Sequence, residues 1–254
     1  MDRWVHQNRG NGLGNFVMCT PTIITLHNHF KEKIPVYFDD EYLKELYNGW
    51  DKITVLSNKG LPKHKMFGSD LMNLKIPDWK YIHDKITKKM NIEVDKIPHT
   101  YAPLFQCTPE YEKEKYCVIV RGCIKNSYWK IKKDVGDEIY KQIMHTIMNK
   151  GIQIVMVGNS HDFDSHLRKM ATWGKKYKVD RDNIRRAVSL IANAKFVVSN
   201  DSGLYHVAGA LNKHTFVMWK DTPFEKNKSP GENCCFSKKN NWMKDFEKWI
   251  AVRS

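Results

Sequence analysis

The residues with the most chemistry to offer lie in one run, FVVSNDSGLYHVAGAL, residues 196–211. Its apolar opening reads as a buried strand ending near Ser199. Asn200, Asp201 and Ser202 then carry short polar side chains suited to capping a helix, and Gly203 lets a ligand approach the backbone where that helix begins. The first N–H groups of a helix have no partner within it, and its dipole makes that end positive. The junction therefore suits an anion such as a phosphate. His206 lies one turn beyond Ser202 and can reach the same anion. Ala208, Gly209 and Ala210 leave room for close packing. The same residues also suit an ordinary N-cap followed by a core helix with a satisfied histidine, and pattern alone leaves the two readings level.

Such a junction needs a sheet to hold it. After residue 114 the chain alternates short apolar strands, expected at 116–120, 152–158, 196–199 and 215–219, with helices expected at 134–150, 181–193, 203–211 and 242–252. That alternation means a parallel sheet covered on both faces. The first part repeats the scheme more briefly. Strands are expected at 3–7, 34–38 and 52–56, with helices at 16–30, 41–47 and 79–91 and an irregular stretch at 60–78. Pro21 is expected in the first turns of its helix, where a missing N–H does least harm. Three prolines between 97 and 114 mark a connection. Two α/β units facing each other would form a cleft, and ligands in such sheets bind beyond the carboxyl ends of the strands.

Composition narrows the class. The chain has 254 residues, of which 41% are hydrophobic and 12% aromatic, enough to bury a core rather than stay disordered. No apolar run approaches the roughly 20 residues of a membrane span, and no signal-peptide pattern opens the sequence. A cytoplasmic protein is the expectation. The six cysteines show neither C-x-x-C nor zinc-like spacing and read as reduced thiols. The formal charge of +14 favours polyanionic or phosphorylated partners. The lysines are spread out, however, and Lys132 and Lys133 read with the others as solvated helix faces.

The 196–211 run resembles the donor motif of glycosyltransferase family 9, the lipopolysaccharide heptosyltransferases: strand, D-[ST]-G-x-x-H-x-A-x-A-L, strand, then a T-x-P turn, here Asp221-Thr222-Pro223. The N-terminus is similar too, with Gly12-Leu13-Gly14-Asn15 and Pro21 standing where that family has G-x-G-D-x-x-x-x-x-P. The resemblance implies an α/β fold of the GT-B kind, two Rossmann-like domains facing a central cleft. Residues 1–113 would bind the acceptor, 114–232 would bind the nucleotide-sugar donor, and 233–254 would form a last helix returning toward the first domain. It further implies an inverting transfer with no metal and no cofactor beyond the nucleotide sugar. Asp201, Ser202, Gly203, His206 and a lysine, Lys125 or Lys130, would face the diphosphate, and Asp162 the ribose.

The sequence departs from the family in two places. The family's acceptor-activating aspartate is Asn15 here, and an amide has no basic pKa with which to take a proton. The base could be displaced to Asp39 or Asp40 (His6 and His27 being further choices), Asn15 could merely orient the acceptor, or the protein could bind a nucleotide sugar without transferring it. The first domain is also trimmed, which puts the acceptor in doubt. The expected acceptor is a glycan or lipopolysaccharide, approached through peripheral contact with a membrane surface. Hydroxylated bases of DNA are the alternative that the charge suggests.

Overall fold

Runs such as Tyr116–Val120 and Thr215–Trp219 have no polar side to offer water, so a sheet built from them must be covered on both faces. The computed structural model describes residues 5–7, 12–57, 84, 88, 91–92, 116–122, 127–158, 162, 167, 177–178, 184–229 and 231–253. It meets that requirement with parallel sheets flanked by helices. The chain divides into two units, Met1–Leu104 with Glu225–Lys228, and Phe105–Phe224 with Ser229–Ser254. The expected irregular stretch 60–78, most of the helix at 79–91 and the connection at 97–114 lie outside the described residues.

The first unit runs β1 (Val5–Gln7), α1 (Leu13–Phe30), β2 (Ile34–Phe38), α2 (Glu41–Tyr47), β3 (Ile53–Val55). Its strands are parallel in the order β1-β2-β3, and Gln7 stands opposite Phe38, so β1 and β2 end on one edge. Phe16 of α1, Phe38 of β2 and Tyr47 of α2 meet with ring centroids 4.6–6.2 Å apart and tie the layers together. Helix α1 begins at Leu13, ahead of the expected Phe16, which moves Pro21 from the first turns to the middle. There its missing N–H deprives the Val17 carbonyl of a helical partner. The Thr20 hydroxyl donates to that carbonyl at 2.7 Å and satisfies it, which makes the interior proline tolerable.

The second unit contains β4 (Tyr116–Val120), α3 (Ser127–Lys133), α4 (Asp137–Met148), β5 (Gln153–Gly158), β6 (Tyr177–Lys178), α5 (Ile184–Asn193), β7 (Phe196–Asn200), α6 (Gly203–Ala210) and β8 (Thr215–Trp219). It closes with β9 (Cys234–Lys238) and α8 (Trp242–Ala251), while the short α7 (Phe224–Asn227) between β8 and β9 falls almost entirely in the segment grouped with the first unit. Its six strands are all parallel, in the order β6-β5-β4-β7-β8-β9. Successive strands move outward from β4 in one direction and, after β7, in the other. The switch point between β4 and β7 is where a doubly wound sheet opens a crevice for ligand.

Alternate residues supply the two faces. Ile119, Ile154, Phe196, Val198, Phe216 and Met218 pack against Tyr140, Ile143, Met144 and Ile147 of α4 and Trp242, Phe246, Trp249 and Ile250 of α8. Val118, Val155, Val157 and Val197 pack against Ala187, Leu190 and Ile191 of α5 and Ala208 of α6. Both α4 and α8 show the three-four spacing of a one-sided helix. At about 1.5–3 kcal/mol for each large side chain buried, the four apolar residues of α8 anchor it firmly to the second unit's own sheet.

Two features differ from the sequence expectation. The helix expected over 134–150 is α4, which starts only at Asp137 because Gly136 before it takes φ +88°, a conformation that side chains with a Cβ rarely adopt; α3 precedes it, where no helix was expected. Cys234–Lys238, expected to lead only into a final helix, is a parallel edge strand paired with β8 from Thr215–Cys234 to Trp219–Lys238.

Candidate functional site

The carboxyl ends of β4 and β7 lie side by side, since Val120 pairs with Ser199. β7 ends at Asn200, and the chain passes through Asp201 and Ser202 and enters α6 at Gly203. Beyond β4 it passes through Arg121 and Gly122. The fit at this crossing is close, because a Cβ placed on Gly122 would stand 2.8 Å from Ser202 Cβ.

Asp201 is buried, 2% exposed. One of its carboxylate oxygens accepts from the Thr222 hydroxyl at 2.7 Å and pairs with Lys133 Nζ at 3.1 Å. The Lys133 side chain is itself only 15% exposed. A carboxylate this deep needs such partners to remain charged. Ser202 is the N-cap of α6 by position, but its hydroxyl does not cap the helix and lies 3.2 Å from Ser199 Oγ instead. The first-turn amides of α6 are therefore left without that side-chain acceptor, at the positive end of the helix.

His206, in the first turn of α6, is 4% exposed, and its Nδ1 has no hydrogen-bond partner among the described residues. Burial, with a smaller contribution from the Lys133 charge, pushes its pKa down to about 3, so the imidazole is neutral at pH 7. A buried nitrogen left unpaired costs about 1–3 kcal/mol. Natural structures rarely keep such groups without a role. The arrangement thus combines helix amides, a held ammonium and a neutral imidazole at one strand end, groups able to meet an anion and stabilise negative charge that develops on it. Among the described residues, no group of three or more His, Cys, Asp or Glu is placed to hold a metal ion.

A network behind Lys133 fixes α3. Arg121 donates to both Asp134 carboxylate oxygens, at 3.1 and 2.9 Å, and also to Asp137. The Lys220 ammonium donates to the Asp134 carbonyl at 2.9 Å, and the Asp221 N–H to the Lys132 carbonyl at 3.0 Å. Asn200, expected as a capping residue, turns away from α6: its side chain bonds to both backbone groups of Gly122 and to the Lys133 carbonyl.

The structure thus brings Asp201, Ser202, Gly203 and His206 together as the motif suggested. The lysine at Asp201 is Lys133, which the sequence reading had placed on a solvated face. Lys130 is exposed on α3, and Lys125 lies outside the described residues. Asp162 is buried, with its neighbours outside the described residues. Thr222 was visible in the T-x-P turn but had no role assigned. The signal that points to Lys133 is the strand order, which sets the end of β7 beside the residues that follow β4.

In the first unit, Gly12 is the N-cap of α1 and Leu13 and Gly14 are buried in its first turn, while Asn15 is exposed there. Asp39 and Asp40 are half-buried beyond β2, and Asp40 is the N-cap of α2. They and the start of α1 follow strands that end on the same edge of the first sheet. His27 Nδ1 donates to the Glu32 carbonyl at 2.9 Å, at the far end of α1. No helix among the described residues is long and apolar enough to cross a membrane.

A family model described as glycosyltransferase family 9 (heptosyltransferase) matches residues 73–250. The lipopolysaccharide heptosyltransferase 2 of Salmonella typhimurium is 31% identical over 86 residues, which cover 32% of this chain and 25% of that protein. The corresponding protein of Escherichia coli is 32% identical over the same length and shares. The matched segment thus spans a quarter of the length of these relatives. Among solved structures, the E. coli ADP-heptose lps heptosyltransferase II superposes with a TM-score of 0.71 at 14% identity, covering 99% of this chain and 98% of that one. E. coli heptosyltransferase WaaC with ADP gives 0.67 at 11% identity and covers all of both chains. At such identities the likeness establishes the fold, α/β of the GT-B kind.

Proposed function

Since the chain belongs to glycosyltransferase family 9, we propose that it transfers a sugar from a nucleotide-sugar donor to a hydroxyl of a glycan or lipopolysaccharide-type acceptor, with inversion and without a metal ion. The observation that carries the proposal is the buried Asp201–Lys133–Thr222 group below the start of α6, which no side chain caps, beside the neutral His206, whose Nδ1 has no partner among the described residues.

In this reading the donor diphosphate lies against the first amides of α6. The acceptor oxygen attacks the anomeric carbon as the bond to the diphosphate oxygen breaks, and the nucleoside diphosphate leaves with the electron pair. The amides, Ser202 and the Lys133 ammonium stabilise that negative charge in place of a cation. Lys133 takes the role expected of Lys125 or Lys130, and Asp201 holds it in place. The neutral imidazole of His206 can donate its N–H to a phosphate oxygen without changing the site's charge. The acceptor proton goes to a carboxylate of the first unit, Asp39 or Asp40, because Asn15 has no basic pKa and can only orient the acceptor. Adenosine diphosphate and its heptose derivative, named with the solved relatives, are the first donors to try.

The test is mass-spectrometric detection of a glycosylated product when the protein is incubated with ADP-heptose and a lipid A–core acceptor in EDTA. Product whose anomeric configuration is opposite to the donor's is expected. Product only when divalent metal is restored would overturn the metal-free mechanism. Donor binding without transfer to any glycan acceptor would turn the reading toward a nucleotide-sugar binding protein.

A further inference from the structure

We propose that Asn200 is a positioning residue that sets Lys133 for the anion site, an inference that rests on the donor reading only for the identity of the anion. Asn200 is fully buried at the end of β7. Its Oδ1 accepts from the Gly122 N–H at 3.1 Å, while its Nδ2 donates to the Gly122 carbonyl at 3.0 Å and the Lys133 carbonyl at 3.2 Å. One carboxamide thus joins the ends of β4, β7 and α3. A side chain of this length with a donor and an acceptor side by side is needed for that, and an aspartate would place a carboxylate oxygen against two carbonyls.

Lys133 is the last residue of α3, so its carbonyl has no partner within the helix. The carbonyls on either side are taken by Asp221 and Lys220, and that of Lys133 by Asn200. The neighbour of Asn200 in sequence is Asp201, which pairs with the Lys133 ammonium. The result is a closed ring. It runs from the Lys133 backbone to the Asn200 side chain, along the chain to Asp201, and back from the Asp201 carboxylate to Lys133 Nζ. Asn200 fixes where the lysine starts and Asp201 where it ends. With the Asn200 link cut, the side chain can still reach Asp201, but from a backbone held only through the neighbouring Lys132 and Asp134 carbonyls and no longer tied to the end of β7. Misplacement by about 1 Å at such a site can cost on the order of a hundredfold in function.

The experiment reads the Lys133–Asp201 coupling directly. Urea unfolding of K133M, D201N and the double variant gives the coupling with Asn200 present, and the same cycle is repeated in N200A. N200S, which keeps a small polar group, replaces N200A if that variant does not fold. The proposal expects the coupling to drop at least about tenfold in the unfolding constant when Asn200 is lost, and unchanged coupling overturns it. In parallel, ADP is titrated into wild type, K133M, N200S and K133M/N200S. The double variant should bind ADP no more weakly than K133M, and losses that simply multiply overturn the proposal. Failure of wild type to bind ADP would count against the donor reading, while the unfolding cycle would still decide the role of Asn200.

Discussion

Replacing Lys133 by methionine removes the cation that compensates a buried carboxylate while keeping most of the side chain's apolar stem. At the 3.1 Å separation of Lys133 Nζ and Asp201 Oδ2, a pair in a medium of effective dielectric about 20 attracts by about 5 kcal/mol before desolvation is counted. Breaking a buried pair by removing one partner costs about 3–5 kcal/mol. The two single changes should differ. In K133M the carboxylate of Asp201 stays buried without its ammonium partner, with the Thr222 hydroxyl still donating to it. In D201N the lysine, longer and more exposed, can turn its ammonium toward water. K133M should therefore lose about 3–4 kcal/mol and D201N about 1–2, with the double variant close to D201N. Urea unfolding monitored by tryptophan fluorescence and circular dichroism supplies the four stabilities. Single losses below about 1 kcal/mol that add without coupling would mean a solvent-screened surface pair, and would refute the description of Asp201 and Lys133 as a buried unit.

Two further predictions follow from the same region. His206 has its pKa depressed to about 3 by burial and by the Lys133 charge, so between that value and about 6.5 the unfolded chain binds a proton that the folded chain excludes. Its stability contribution is complete above pH 6.5 and is lost as pH falls, at up to about 1.4 kcal/mol per unit. Between pH 6.5 and 5, wild type should lose about 2 kcal/mol more than H206Q, and parallel profiles would contradict the burial assigned to this imidazole. R121M should cost about 3–5 kcal/mol because it strands the buried Asp134 carboxylate, and a loss under 1 kcal/mol in the same unfolding assay would show that the Arg121 network does not hold α3.

Much of the fold could be read because strands buried on both faces leave a plain trace. Tyr116–Val120, Gln153–Gly158, Phe196–Asn200 and Thr215–Trp219 are apolar runs of strand length between helical patterns. The edge strand Cys234–Lys238 left no such trace: it is half-exposed along most of its length and ends in serine and lysine. Helix α3 was hidden because seven residues are too few to display a helical period. The motif residues of the site could be marked because they are contiguous in sequence, but the capping expected of Asn200 and Ser202 is not what the structure shows, since both side chains bond elsewhere. Lys133 could not be marked, because its meaning depends on Asn200 and Asp201. Asn200 is 67 residues away in sequence and reaches it only through the crossing of β4 and β7. Local spacing carries no information about such a crossing. Asn15 shows the reverse: its departure from the family is plain in sequence, and its exposed place at the start of α1 leaves the proton acceptor to be sought at Asp39 or Asp40.

The central claim is that the strand ends around Asp201 hold a nucleotide sugar's diphosphate without a metal. Isothermal titration of ADP and ADP-heptose into the full chain in EDTA, alongside D201N and H206Q, tests it most directly. Binding by wild type that survives EDTA and weakens at least about tenfold, roughly 1.4 kcal/mol, in both variants is the predicted result. Equal affinity in all three proteins, or binding that appears only when divalent metal is restored, would contradict the account.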